Sequence, residues 1–91
     1  MKYTKTTLNK AEKLLEDIDF IVRYEKGNFN SGYCLLEDKK VVVINKYFEI
    51  EAKVSSLIDI IMKLKFNTKD LSEESQKFYL QISQLELGDL E

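Results

Sequence analysis

The stretch Tyr33-Cys34-Leu35-Leu36-Glu37-Asp38-Lys39-Lys40-Val41-Val42-Val43-Ile44-Asn45 decides the fold. Tyr33 to Glu37 and Lys40 to Asn45 are mostly apolar runs that meet in the charged tetrad Glu37 to Lys40. That pattern predicts two strands joined by a tight hairpin turn. Both strands are apolar on both faces: Tyr33 and Leu35 oppose Cys34 and Leu36, and Val41 and Val43 oppose Val42 and Ile44. A strand of this kind is usually covered on both sides. Helices or a second subunit are the expected covers.

On the N-terminal side, Ile18 to Glu25 alternates. Phe20, Val22 and Tyr24 fall on one face, and Asp19, Ile21, Arg23 and Glu25 on the other. This predicts a strand with one apolar and one mostly polar face. Between it and Tyr33, the residues Lys26-Gly27-Asn28-Phe29-Asn30-Ser31-Gly32 read as a loop, since Gly and Asn tolerate positive φ. Ahead of the strand, Leu8, Ala11, Leu15 and Ile18 recur with helical spacing, which predicts a helix from about Thr6 to Asp17 with Thr6 or Thr7 as its N-cap.

On the C-terminal side, Ile50, Val54, Leu57, Ile58, Ile61 and Leu64 line one face of a helix expected over Glu49 to Lys65. Ile60 and Met62 widen that face beyond the ~100° stripe of a simple surface helix, which predicts a central position. Asn67 to Lys69 breaks the pattern. Asp70 and Glu73 then resemble a capping box for a third helix, with Leu71, Phe78, Ile82 and Leu85 on one stripe and an end near Gly88.

The expected fold is α+β, a three-stranded, mainly antiparallel sheet packed with three helices in the order αβββαα, within one domain spanning residues 1–91. The expected core is Leu8, Leu15, Phe20, Val22, Leu35, Val43, Leu57, Ile58, Ile61, Phe78 and Ile82.

Composition narrows the chemistry. The 91 residues include no histidine and one cysteine, Cys34. Histidine is the usual general base near neutral pH and the commonest metal ligand. Its absence argues against hydrolase triads and zinc sites, so no catalytic residue, metal ligand or cofactor is assigned. The 14 basic and 16 acidic residues give a net charge of −2, and Arg23 is the single arginine. Near-balanced charge without the forked donors of arginine argues against a nucleic-acid partner. A lone cysteine fits a reducing compartment. No apolar run approaches the ~20 residues of a membrane span, and Met1 to Lys13 lacks the apolar stretch of a signal peptide. The expectation is a cytoplasmic protein without a membrane partner.

Four groups carry possible chemistry. Cys34 lies inside an apolar strand without a histidine to generate its thiolate, and reads as a small buried hydrophobe. Glu12, Glu16, Asp17 and Asp19 cluster near the end of the first helix, and Glu73 and Glu74 open the third. Such carboxylates do acid/base work only when burial separates their pKa values; otherwise they form a solvated face. In the glycine loop, Lys26, Asn28, Phe29 and Asn30 place an aromatic ring among amides and a cation, a contact surface. Tyr24, Tyr33 and Tyr47 bracket the sheet. The binding residues expected from these features are Lys26, Asn28, Phe29, Asn30, Tyr33 and Cys34.

The segment VVVINKYFEIEAKVSSLIDIIMKL, with its strand end Val43-Ile44-Asn45 and the helix after it, resembles the small zinc metallopeptidases of the ImmA/IrrE type. Those begin with a helix, a strand and a hairpin, followed by a helix bearing H-E-x-x-H. The matching helix segment here is Asp59-Ile60-Ile61-Met62-Lys63, without either histidine or the glutamate. The resemblance therefore implies a chain that holds no metal and has no peptidase activity. YEKGNFNSGYCLLEDKKVVVINK is also similar to the core of a group of short uncharacterised bacterial proteins.

The function expected is a non-enzymatic binding or protein-interaction module that self-associates, a homodimer or partner of another protein, because three short helices leave apolar surface uncovered. The alternative is a small enzyme, or an inactive metallopeptidase-like remnant, using Cys34 or a carboxylate.

Overall fold

The computed structural model describes residues 2–26 and 33–89. Helix α1 spans Lys5–Asp17, strand β1 Ile21–Glu25, β2 Tyr33–Leu36, β3 Val41–Asn45, helix α2 Ile50–Lys63 and α3 Glu73–Asp89. The α+β class and the order of helices and strands agree with the pattern in the sequence.

The cap of α1 is Thr4, not Thr6 or Thr7. Its hydroxyl accepts from the Thr7 N–H at 3.4 Å, satisfying one of the free donors of the first turn. Thr7 is buried, and its own hydroxyl donates to the Lys2 carbonyl.

At the other end, the Phe20 N–H donates to the Leu15 carbonyl at 2.9 Å and the Asp19 N–H to the Glu16 carbonyl at 3.0 Å. That pair of bonds, with Asp19 at φ 68, is the Schellman arrangement. Asp tolerates the left-handed conformation better than most residues. The turn takes Ile18, Asp19 and Phe20 out of the expected strand, so β1 starts only at Ile21.

The sheet order is β1-β3-β2. β2 and β3 form the expected hairpin, with Leu35 opposite Val42 and Leu36 opposite Val41. Residues Glu37–Lys39 make a 3-10 turn, and Lys40 closes it at φ 53. β1, however, pairs with β3 in parallel, Ile21 opposite Val41 and Glu25 opposite Asn45. The sheet is therefore mixed, not mainly antiparallel. The strand richest in β-branched residues, β3, takes the centre, and the charged β1 takes an edge, where unpaired backbone is best kept solvated.

Helix α3 packs against α1, and α1 and α2 pack on the inner face of the sheet. There Val42 and Ile44 are fully buried, with Val22, Tyr24 and Leu35 partly buried against the same core. Leu14, Leu15 and Ala11 of α1, Val54, Leu57, Ile58, Ile60 and Ile61 of α2, and Phe78 and Ile82 of α3 complete it. Of the expected core, Val22 and Leu35 are only half-buried, and Val43 lies on the other face. The hub is α1, which touches α2, α3 and β1, whereas α2 packs on α1 and β3. Five of the residues on the wide α2 face are buried, but Ile50 at its start is exposed.

The start of α3 also differs from expectation. Asp70 ends a 3-10 turn over Thr68–Asp70, whose cap is the Asn67 side chain accepting from the Lys69 N–H at 3.0 Å. The hydroxyl of Ser72 accepts from the Ser75 N–H at 3.3 Å and so does the capping expected of Asp70. α3 then continues past Gly88 to Asp89.

Candidate functional site

Of the six residues expected to bind, Lys26, Tyr33 and Cys34 fall within the described backbone. Lys26 is exposed immediately after β1. Asn28, Phe29 and Asn30 lie outside the described residues. Tyr33 and Cys34 belong to β2, where they pair with Ile44 and Val43 of the central strand.

The carboxylates do not act together. Glu12 accepts a hydrogen bond from the Tyr24 hydroxyl, tying α1 to β1, while the Lys53 ammonium of α2 sits 5.0 Å from the centre of the Tyr24 ring. Burial of the phenol, with the Glu12 carboxylate as its acceptor, pushes the Tyr24 pKa well above the usual tyrosine range. Asp17, the last residue of α1, reaches α3. It accepts from the Ser72 N–H at 3.0 Å, the Ser72 hydroxyl at 2.8 Å and the Lys13 ammonium at 2.9 Å. Its side chain is only 10% exposed. Burial alone would raise its pKa, but hydrogen bonds from Ser75, Lys13 and Ser72 outweigh that and hold it well below the usual carboxylate range. A carboxylate so locked in its charged form is a docking group and a poor proton shuttle. Among the described residues no three His, Cys, Asp or Glu side chains converge as metal ligands.

Two surface features remain. The first is the outer face of the sheet. The parallel register of β1 and the hairpin register of β2 align Ile21, Val41 and Leu36 in one row across all three strands. Ile21 is 59% and Leu36 41% exposed. In the next row Val43, only 8% exposed, lies beside Arg23, whose guanidinium is 3.4 Å from the Glu25 carboxylate. The sequence showed both faces of the hairpin strands to be apolar; among the described residues the helices cover the inner one.

The second feature is a cleft of about 890 Å³ between the C-terminal ends of α1 and α2 and the hairpin turn. Asp17, Asp19, Asp70, Lys40, Lys63 and Lys65 line it, with Phe20, Phe66, Ile18 and Leu64 as its apolar walls. Phe66 packs edge-on against Tyr79, ring centres 5.3 Å apart. Sequence reasoning missed this cleft because its lining comes from four separate segments. The legible signal was the acidic cluster at the end of the first helix, two of whose members, Asp17 and Asp19, line the cleft.

The fold and these features define a small α+β protein with a mixed three-stranded sheet, helices on one face and an apolar row on the other. No protein-family model, curated protein or solved structure matches the chain. No helix among the described residues is long and apolar enough to cross a membrane.

Proposed function

We propose that this chain is a non-enzymatic interaction module that pairs with a second copy of itself through the outer face of its sheet. The carrying observation is the apolar row Ile21, Val41 and Leu36 on the outer sheet face, with Ile21 and Leu36 exposed and Val41 half-buried between them. Apolar surface of this kind gains free energy at ~25 cal/mol per Å² when removed from water. A second copy is the favoured occupant because the charges bordering the row are self-complementary. Arg23 and Glu25 lie two residues apart on the same face, so a two-fold axis can set each against its opposite in the partner. The dispersal of the carboxylates favours this reading over an enzyme: Glu12 is tied to Tyr24, and Asp17 to Ser72 and Lys13.

The layout also supports kinship with the metallopeptidase-like chains, through α1, β1, the hairpin and α2. In the segment Asp59 to Lys63, Ile60 and Ile61 are buried, and Asp59 pairs with Lys63 at 3.1 Å on the surface. An ion pair on an exposed face and isoleucines in the core suit a structural helix.

Sedimentation of the full chain tests the proposal. A dimer is expected for the native sequence and a monomer for Ile21→Lys, with unchanged circular dichroism because Ile21 lies outside the core. A native chain that stays monomeric at high concentration, or an Ile21→Lys variant that remains dimeric, overturns it.

A further inference from the structure

We propose that the cleft between the ends of α1 and α2 binds a small zwitterion of amino-acid type with an apolar side chain. The site borders the outer sheet face at Phe20 and Lys40, but its lining shares no residue with the row Ile21, Val41 and Leu36.

The charges of the cleft fall into two groups. Asp17 is saturated by Ser72 and Lys13, and Lys63 is engaged with Asp59. The charged residues left are Lys40 and Lys65 of one sign and Asp19 and Asp70 of the other, none of which makes an ion pair with a described residue. Two cations and two anions that line one cleft without pairing suit a ligand carrying both a carboxylate and an ammonium. Helices α1 and α2 both end at the cleft. Their C-termini carry partial negative charge, which favours the ammonium half. Phe66 and Leu64, both half-buried, offer an apolar wall for a side chain.

Backbone geometry supplies an independent reason. Asp19 and Lys40 are the non-glycine residues with positive φ among the described residues, at 68° and 53°, and both line this cleft. Glycine is the residue that such turns prefer. The Lys40 carbonyl accepts from the Ile21 N–H at 2.8 Å, so the sheet itself holds Lys40 in this conformation. Asp19 suits this conformation as the residue that closes α1, so the unfavourable backbone is at Lys40, a cation that lines the same cleft. Retained strain of this kind concentrates at binding sites.

The test is an NMR titration of the full chain with L-phenylalanine, with phenylacetate and phenethylamine as arms that each lack one charge. Exposed charge contacts are individually weak, so millimolar affinity is expected for L-phenylalanine, with each truncated ligand about fivefold weaker. Lys40→Gly removes the cation and keeps the turn. It is expected to weaken L-phenylalanine about fivefold, to leave phenethylamine unchanged, and to melt no lower than the native chain. That combination separates a ligand contact from a structural role. Absence of L-phenylalanine binding, equal binding of the three ligands, or L-phenylalanine affinity unchanged by Lys40→Gly overturns the proposal.

Discussion

The carboxylate of Asp17 accepts from Lys13 on one oxygen and from the Ser72 backbone and hydroxyl on the other, in a setting where it is almost fully buried. Removing it leaves those donors without their acceptor. Asp17→Ala is therefore expected to destabilise the protein by about 1.5–3 kcal/mol, the usual range for a hydrogen bond to a charged group, as read from urea denaturation at neutral pH. The pH dependence has a definite sign. The folded pKa of Asp17 lies below its unfolded value, so the folded state releases this proton more readily. Its stabilisation is fully present above the unfolded pKa of ~3.9 and is lost as pH falls from there through the lower folded value. Denaturation midpoints between pH 6 and pH 2 should thus fall more steeply for the native chain than for Asp17→Ala. The sequence placed Asp17 in an acidic cluster at the end of the first helix. It could not disclose the partner, because Ser72 lies 55 residues further on and meets it only in the fold.

At the scale of elements, the best-read segments were those whose period matched their burial. Helix α1 ends at Asp17 as expected, β1 exposes Ile21, Arg23 and Glu25 while Val22 and Tyr24 turn inward, and the tetrad Glu37 to Lys40 makes the hairpin turn. The misread parts were termini. Ile18, Asp19 and Phe20 continue the alternating pattern of β1, yet the Schellman bonds to Leu15 and Glu16 claim them for the end of α1. Likewise Asp70 has the spacing of a cap, but Ser72 takes the role because the same hydroxyl also reaches Asp17. Two functions on one hydroxyl make a prediction at this scale. Ser72→Ala should cost about 1–2 kcal/mol through the lost cap of α3 and the lost donor. Combined with Asp17→Ala, the two costs should fall short of their sum, since both variants break one interaction. Additive denaturation energies would show that the cap and the clamp act separately.

For the whole molecule, the decisive feature is that the helices lie on one side of the sheet. Val42 and Ile44 are wholly buried against them, whereas Ile21 and Leu36 face outward on edge strands. If two copies pair through this face, Arg23→Glu should weaken the dimer by placing like charges together, and the double variant Arg23→Glu with Glu25→Arg should restore it. Sedimentation equilibrium distinguishes the outcomes. Dimerisation insensitive to both changes would place the contact elsewhere. Of the expected binding set, Lys26 follows β1 and Tyr33 and Cys34 belong to β2, on either side of β3. The cleft that does exist combines Asp19, Lys40, Lys65 and Asp70, residues far apart in sequence with no shared motif.

The sequence by itself determined the order of the elements, the hairpin, and the apolar faces of the helices, because these depend on local spacing and on the chemistry of neighbouring residues. Only the tertiary structure decided that β3 lies between β1 and β2 and that β1 runs parallel to it. Strands adjacent in sequence are normally expected to pair, and nothing in Ile21 to Glu25 marks the direction of its partner. The same long-range choice fixed which apolar face went under the helices and which was left to water. The pairing of strands and the stacking of layers minimise exposed surface for the chain as a whole, a sum that no local stretch of residues contains.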